Sequence, residues 1–307
     1  MSTEWTRYPK MAESSQGWQS VPNSEWVATE KVHGANFSIV ADASGCVRFY
    51  KRSGPVANSE DFFGFRSQGL ELRLSQCALR LFAARGGMNS VAIFGELCGG
   101  RFPHPSVRAV PSLQPVQCGV WYSPGLTFVV FDIATAGPGA AERRFLDFDL
   151  ACAVAESAGF LFVQTVARGT LQECFDAPVR FDSRLSARLG LPSLPTPNWA
   201  EGVVIRAVHE AQPGGSKKGG SRALFKRKIE EFGETQYKEN GWCGNKVGGT
   251  AGAALPLADS SELVRYEMQA SITRQRLASV TSKLGHVDAH NKAQCRELLD
   301  AFHEDIY

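Results

Sequence analysis

Lys31 lies at the end of the β-prone run WVATEKV (Trp26–Val32), which leads into the turn-like stretch His33-Gly34-Ala35-Asn36. A lone lysine at a strand end is ordinarily a surface charge. Four further charged places share its setting: Lys51 with Arg52, Glu96, Glu201, and the pair Lys226 and Lys228. Each stands at the edge of an otherwise apolar, strand-like run. Charge on such a run costs free energy unless it is paired or used. Five of these places suggest one polar site lined by strand ends. It would combine a primary amine, a nucleophile when neutral, with carboxylates and additional cations.

The elements that must position these groups read as follows. The runs FSIVAD and CVRFYKRS, joined by Asp42-Ala43-Ser44-Gly45, read as a hairpin. Val91–Leu97 and Leu126–Ile133 are nearly continuously apolar, which predicts central strands of a buried sheet. Leu70, Leu74, Ala78, Leu81 and Phe82 recur at helical spacing, so a helix is expected over Leu70–Arg85, stopped by Gly86-Gly87. A second helix is expected over Phe148–Ser157, with Gly159 beyond it. LFVQTV reads as one strand. EGVVIRAV and ALFKRKI read as a hairpin with the Gly-rich tip PGGSKKGG, and the Pro-rich stretch Leu191–Asn198 before them cannot be regular. Gly244–Ala254 looks like a linker, and Ser260–Tyr307 reads as helices. A sheet-rich domain over 1–248 and a helical domain over 249–307 are therefore expected.

Composition bounds the function. The chain has 307 residues, 43% hydrophobic and 21% charged, ordinary for a globular protein and incompatible with wholesale disorder. No apolar run approaches the ~20 residues that span a bilayer. Met1–Gln19 lacks the apolar core of a signal peptide and the Arg-rich look of a transit peptide. The expected location is intracellular and cytoplasmic, with a mitochondrial one left open. Eight cysteines without a C-x-x-C pair disfavour a zinc ribbon or a thioredoxin site. Lys plus Arg number 33 against 31 Asp plus Glu, so a nucleic-acid partner would have to be held by a local patch. The run Lys217, Lys218, Arg222, Lys226, Arg227 and Lys228 offers one. Arg265, Arg274, Arg276 and Lys283 are candidate phosphate contacts in the tail.

EKVHGANF resembles motif I of the covalent nucleotidyltransferases, the superfamily of ATP-dependent ligases and capping enzymes. The His after K-x resembles the RNA ligase 2-like family, which includes phage double-strand RNA ligases and trypanosome RNA-editing ligases. KRSG, FGEL, FVVFDI, EGVVIR and LFKRK then resemble motifs Ia, III, IIIa, IV and V in the family's order, over roughly residues 25 to 248. The resemblance implies an α+β nucleotidyltransferase domain of antiparallel sheets enclosing an ATP cleft, plus a small C-terminal helical domain that engages RNA. It implies an ATP-dependent RNA ligase sealing 3′-OH/5′-phosphate breaks, notably nicks in duplex RNA. The reaction would run through lysyl-AMP and an adenylated 5′-phosphate end.

By the same resemblance Lys31 is the nucleophile, and Lys226 and Lys228 are catalytic cations that also meet the phosphates. Glu30 would lie by the nucleotide, Glu96 would take the ribose hydroxyls, and Glu201 would bind Mg²⁺ (or Mn²⁺) or lie near the α-phosphate. Asn36 and Arg52 would contact ribose or phosphate groups. Phe131 would stack on adenine, or else pack in the core. His33 would be either catalytic or a brace for the motif I turn. The rivals are a DNA ligase of the same chemistry, against which the helical tail argues, and a catalytically inactive nucleic-acid-binding relative.

Overall fold

Two antiparallel sheets carry the larger part of the protein in a computed structural model that describes residues 7–9, 11, 24–140, 143–210, 222–232 and 274–306. The smaller sheet takes β1 (Trp26–Glu30), β9 (Thr165–Gly169), β10 (Gly202–Ala207) and β11 (Leu224–Lys228), in the order β11-β10-β1-β9. The larger one takes β2 (Ala35–Asp42), β3 (Val47–Lys51), β4 (Gly54–Pro55), β5 (Ser90–Arg101), β6 (Ser123–Ala136) and β7 (Arg144–Phe145), in the order β4-β3-β2-β5-β6-β7. A two-residue strand, β8 (Leu161–Phe162), pairs parallel with β6. The α+β expectation holds.

The expected β2–β3 hairpin forms around Asp42, whose carboxylate accepts from the Ser44 N–H at 3.0 Å and whose carbonyl accepts from the Gly45 N–H at 2.9 Å. The two long apolar runs are the paired strands β5 and β6. α1 (Leu70–Arg85) and α2 (Phe148–Ser157) have the expected bounds. α1 buries Leu70, Leu74, Cys77, Ala78 and Leu81, the i, i+4, i+7/8, i+11 stripe of an amphipathic helix. Shorter helices α3 (Leu171–Asp176) and α4 (Leu185–Arg188) follow.

One expected strand is two. LFVQTV pairs with the large sheet at Leu161–Phe162, leaves it, and joins the small sheet at Thr165 as the partner of β1. Hydrophobic periodicity cannot register such a change of sheet, because both halves are β-prone.

Strand parity makes the inner face. Leu224 packs with Tyr8, Val40, Tyr50, Ala92, Phe94 and Ala134, whereas Phe225 packs with Trp26, Ala28, Val203 and Ile205 on the other side of the small sheet. Even-numbered residues of β11, Lys226 and Lys228 among them, thus share the side that faces the large sheet.

The chain divides into two compact units, Met1–Glu231 with Ser282–His286, and Phe232–Thr281 with Val287–Tyr307. Within the stretch read as helical, the described residues form α5 (Arg274–Leu284) and α6 (Lys292–Ile306). The expected linker Gly244–Ala254, the boundary at 248/249, the loop tip with Lys217 and Lys218, and Arg265 lie outside the described residues. Among the described residues no helix is long and apolar enough to cross a membrane.

Candidate active site

The small sheet brings motif I and motif IV together. β1 and β10 pair antiparallel, with Glu30 opposite Val203. The ladder extends one step further, because the Lys31 N–H donates to the Gly202 carbonyl at 2.9 Å. Lys31 and Glu201 therefore meet just past the end of the paired strands. The Lys31 Nζ donates to Glu201 Oε2 at 2.7 Å, and the Lys228 Nζ lies 3.2 Å from Glu201 Oε1. Their side chains are only 16%, 5% and 18% exposed, for Lys31, Glu201 and Lys228. Burial alone would raise the Glu201 carboxyl. The charges of Lys31, His33 and Lys228 and the hydrogen bond to His33 outweigh it and hold the group well below the usual carboxylate range.

Two glycines permit this closeness. At Gly34 an added Cβ would sit 2.2 Å from the Leu97 carbonyl oxygen, so only glycine lets the motif I turn lie against β5. At Gly202, with φ +149°, it would sit 2.0 Å from the Arg227 carbonyl oxygen.

His33 stands between the sheet and the β5–β6 connection. Its Nδ1 lies 3.2 Å from Glu201 Oε2 and its Nε2 lies 3.2 Å from the Cys118 carbonyl oxygen. Both ring nitrogens thus face acceptors. The His33 N–H donates to the Tyr122 hydroxyl at 2.7 Å. The Glu30 carboxylate is committed elsewhere: Ser183 Oγ donates to it at 2.5 Å and the Arg184 N–H at 3.0 Å. Glu30 has the parity of Trp26 and Ala28, whose side chains lie on the side away from Leu224. Its side chain braces the 183–184 loop, and burial pushes its pKa up.

The large sheet supplies the opposite wall. Asn36 pairs in register with Glu96 on adjacent strands, so both point to one face. Glu96 has the parity of Ala92 and Phe94, which belong to the inner cluster. Burial, with the Glu201 charge adding to it, pushes the Glu96 carboxyl up to about 8, against the pull of Lys31, the Gly34 N–H and Arg52. Arg52 Nη1 donates to the Tyr8 carbonyl at 2.6 Å.

Phe131 sits at a β-bulge: Phe94 pairs with Asp132 and Gly95 with Val130, leaving Phe131 between them without a partner. A bulge re-aims side chains. Here consecutive residues both face inward, Phe131 against the Tyr8 ring at 4.9 Å between centroids and Asp132 beneath it. The Phe131 side chain is half-buried.

Asp132 is fully buried and anchors a network absent from the expected site. Tyr8 Oη donates to it at 2.8 Å, Arg222 Nη1 at 2.6 Å, and Arg206 Nη1 lies 3.1 Å away. Glu210 is shared by the same two arginines. The signal was present, since Asp132 in FVVFDI and Arg206 in EGVVIR are charges on apolar strands of the kind that singled out Glu96 and Glu201. Tyr8, in contrast, sits in a segment with no motif. The network also corrects the expected basic patch. Arg222 is bound to Asp132 and Glu210, and Arg227 donates to the Phe175 carbonyl, so these two charges within the run are already engaged. In the second unit, Arg276 is likewise near the Asp305 carboxylate, at 3.7 Å.

The sequence model of the RNA ligase family matches residues 24–228, which hold every motif group described in this site. The chain belongs to the RNA ligase family. It is 32% identical over 223 residues to the mitochondrial RNA-editing ligase 2 of Trypanosoma brucei brucei, covering 66% of this chain and 53% of the relative. It is 33% identical over 244 residues to RNA-editing ligase 1 of the same organism, covering 69% and 51%. The chain thus spans about half the length of the curated relatives it matches. Solved RNA ligases of Naegleria gruberi align at 12% identity. One, a mutant with AMP and Mn, gives a TM-score of 0.48 over 74% of this chain and 57% of that one. Another mutant, with ATP and Mn, gives 0.47 over the same shares.

Proposed function

We propose that this protein is an ATP-dependent RNA ligase that seals 3′-OH/5′-phosphate nicks in duplex RNA through a lysyl-AMP intermediate. The observation that carries the reading is the Lys31–Glu201–Lys228 cluster at the end of the β1–β10 ladder. It offers one amine next to a carboxylate and a second cation. Lys31 is the nucleophile, attacking the α-phosphorus of ATP and expelling pyrophosphate. An ammonium has no lone pair, so attack requires the Lys31–Glu201 pair to open and the proton to leave. Lys228 and Lys226, on the inward side of β11, meet negative charge as it develops on the α-phosphate.

The other wall receives the nucleoside. Phe131, half-buried on this wall, stacks on adenine. Glu96, protonated at neutral pH, can donate as well as accept toward the ribose hydroxyls, and Asn36 beside it adds an amide. Arg52 completes the phosphate or ribose contacts. His33 holds the motif I turn against Glu201.

Among the described residues no group of three or more His, Cys, Asp or Glu could hold a metal ion by itself. That fits Mg²⁺ or Mn²⁺, which is commonly held by one or two carboxylates together with substrate phosphates. Glu201 is the ligand this chain would supply, with Glu96 nearby. The ion would add positive charge at the α-phosphate.

The test is incubation with α-labelled ATP and Mg²⁺, followed by denaturing electrophoresis. A covalent, acid-labile AMP adduct is expected, and nicked duplexes should be sealed when RNA stands on the 3′-OH side. Absence of the adduct, or equal sealing of all-DNA nicks, would overturn the reading.

A further inference from the structure

The connection between β5 and β6 carries a feature that the adenylation chemistry does not use. Arg101, the last residue of β5, lies with its guanidinium carbon 5.6 Å from the centre of the Trp121 ring. The Trp121 backbone is held at both its N–H and its carbonyl. The Asn198 side chain accepts from the Trp121 N–H at 2.9 Å and donates to the Trp121 carbonyl at 2.8 Å. Asn198 is buried and lies three residues before Glu201. On the other side, Tyr122 and Cys118 contact His33. The stack is therefore tied to both of the segments that position the Lys31 cluster.

Arg101 is exposed, and among the described residues no ion pair joins it to a carboxylate. Arg48, Arg66, Arg168, Arg180 and Arg188 differ, each facing an Asp or Glu. Arg180 makes the closest comparison. It lies over Trp199, 5.4 Å from the ring centre, yet its charge is answered by Glu231 at 2.6 Å. A guanidinium laid on an indole loses little freedom on binding, and its edge N–H groups stay directed outward in the fork that matches a phosphate.

We propose that Arg101, positioned by Trp121, is a binding residue for a backbone phosphate of the RNA close to the break. The inference rests on the RNA-ligase reading and adds to it a named contact for the polynucleotide, separate from the nucleotide cleft. It places the grip on the loop that braces His33, so that RNA engagement and the adenylation site share one support.

The experiment uses the full chain and a 5′-phosphorylated nicked RNA duplex. Binding is measured between about 50 and 200 mM salt for the parent, Arg101→Ala, Arg101→Lys, Trp121→Phe, Trp121→Ala and Arg180→Ala. AMP-adduct formation without RNA is measured in parallel. For Arg101→Ala a roughly ten-fold weaker binding at low salt is expected, with the slope of log affinity against log salt reduced by about 0.9. Adduct formation should be unchanged, which also reports an intact fold. Arg101→Lys should keep the slope and recover part of the affinity. Trp121→Phe should keep most of it, and Trp121→Ala should lose it. Arg180→Ala should leave the slope as it was. An unchanged slope in Arg101→Ala, or an equal reduction in Arg180→Ala, would overturn the proposal. If the parent formed no adduct at all, the ligase reading itself would fall, an outcome distinct from either of these.

Discussion

Glu96, in the middle of β5, and Glu201, just ahead of β10, are both carboxylates facing one cleft, and the fold treats them oppositely. Glu201, on the small sheet, is surrounded by Lys31, His33 and Lys228 and stays ionised far into acid. Glu96, on the large sheet, takes most of its shift from burial and is protonated at neutral pH. The small-sheet wall thus carries formal charge in pairs. The large-sheet wall borders that cluster with Asn36, protonated Glu96 and the Phe131 ring, with the Arg52 cation close to Glu96. Charge placed where phosphates react and neutral polarity where a nucleoside rests is a division of labour that surroundings alone can set, since the two residues are chemically identical.

The strongest way to break this picture is to remove the amine. Lys31→Ala should abolish the AMP adduct completely, measured by label retained on the denatured protein. The fold should persist, because only one partner of a strand-end cluster is lost. Labelling that survives in the variant would move the nucleophile off the small-sheet wall altogether.

Next comes the cation row. Lys226→Ala removes an inward-facing charge of β11 and should lower adduct formation by roughly 10²-fold or more, the scale of losing one preorganised group at a developing anion. Arg227→Ala, one residue on and of opposite parity, should cost far less. Equal losses in the two variants would refute the assignment of β11 parity to the chemistry.

Most of this arrangement was legible in the sequence, for a physical reason. Charges on apolar strands are too costly to be accidental, and Lys31, Glu96, Glu201, Lys226 and Lys228 all stand out on that ground. Which partner each charge would find was not legible. Glu30 carries the same signal yet turns to Ser183 and Arg184, because parity on β1 sends it to the other side of the sheet. Phe131 and Asp132 both face inward only because of a bulge, and a bulge leaves no mark on a period-2 pattern. Arg222 reads as part of a basic patch until the fold brings Asp132 to it across 90 residues.

A third change tests the charged half of the comparison by stability. Glu201→Gln leaves the cations Lys31 and Lys228 without their carboxylate. Breaking a buried pair from one side costs about 3 kcal/mol, or about 6–12 °C in melting temperature for a unit of this size. The Glu201 carboxyl is held below its ordinary value of 4.5. Its contribution is therefore present above that pH and lost as pH falls below it. The gap between parent and variant should be full at pH 7 and shrink steadily in acid. A gap that is constant from about pH 7 to about pH 3 would mean that the pair does not stabilise the fold.

Glu96→Gln should act in the opposite sense and more weakly. The native carboxyl titrates near 8, whereas in the unfolded chain it titrates near 4.5. Between those values the native state holds a proton that the unfolded state has released, so stability falls as pH rises, and the loss is complete above about 8. Partial exposure of Glu96 lets water temper the effect, to roughly 1–2 kcal/mol. Glutamine keeps the shape and never ionises. Parent and variant should melt together near about pH 5, separate through neutrality, and differ by about 2–8 °C at about pH 9, the variant being the more stable. Parallel melting curves at every pH would show that Glu96 is an ordinary ionised carboxylate. The two predictions are also linked. The Glu201 charge is one cause of the raised Glu96 value, and Lys31 opposes it. In a Glu201→Gln background that repulsion is gone and the Lys31 attraction remains, so the Glu96 carboxyl should titrate closer to its ordinary value. The stabilisation by Glu96→Gln still starts where the unfolded carboxyl ionises, but it should level off at a lower pH and reach a smaller plateau. A plateau of the same height, reached at the same pH in both backgrounds, would mean that burial alone sets Glu96, and that the two walls do not sense each other's charge.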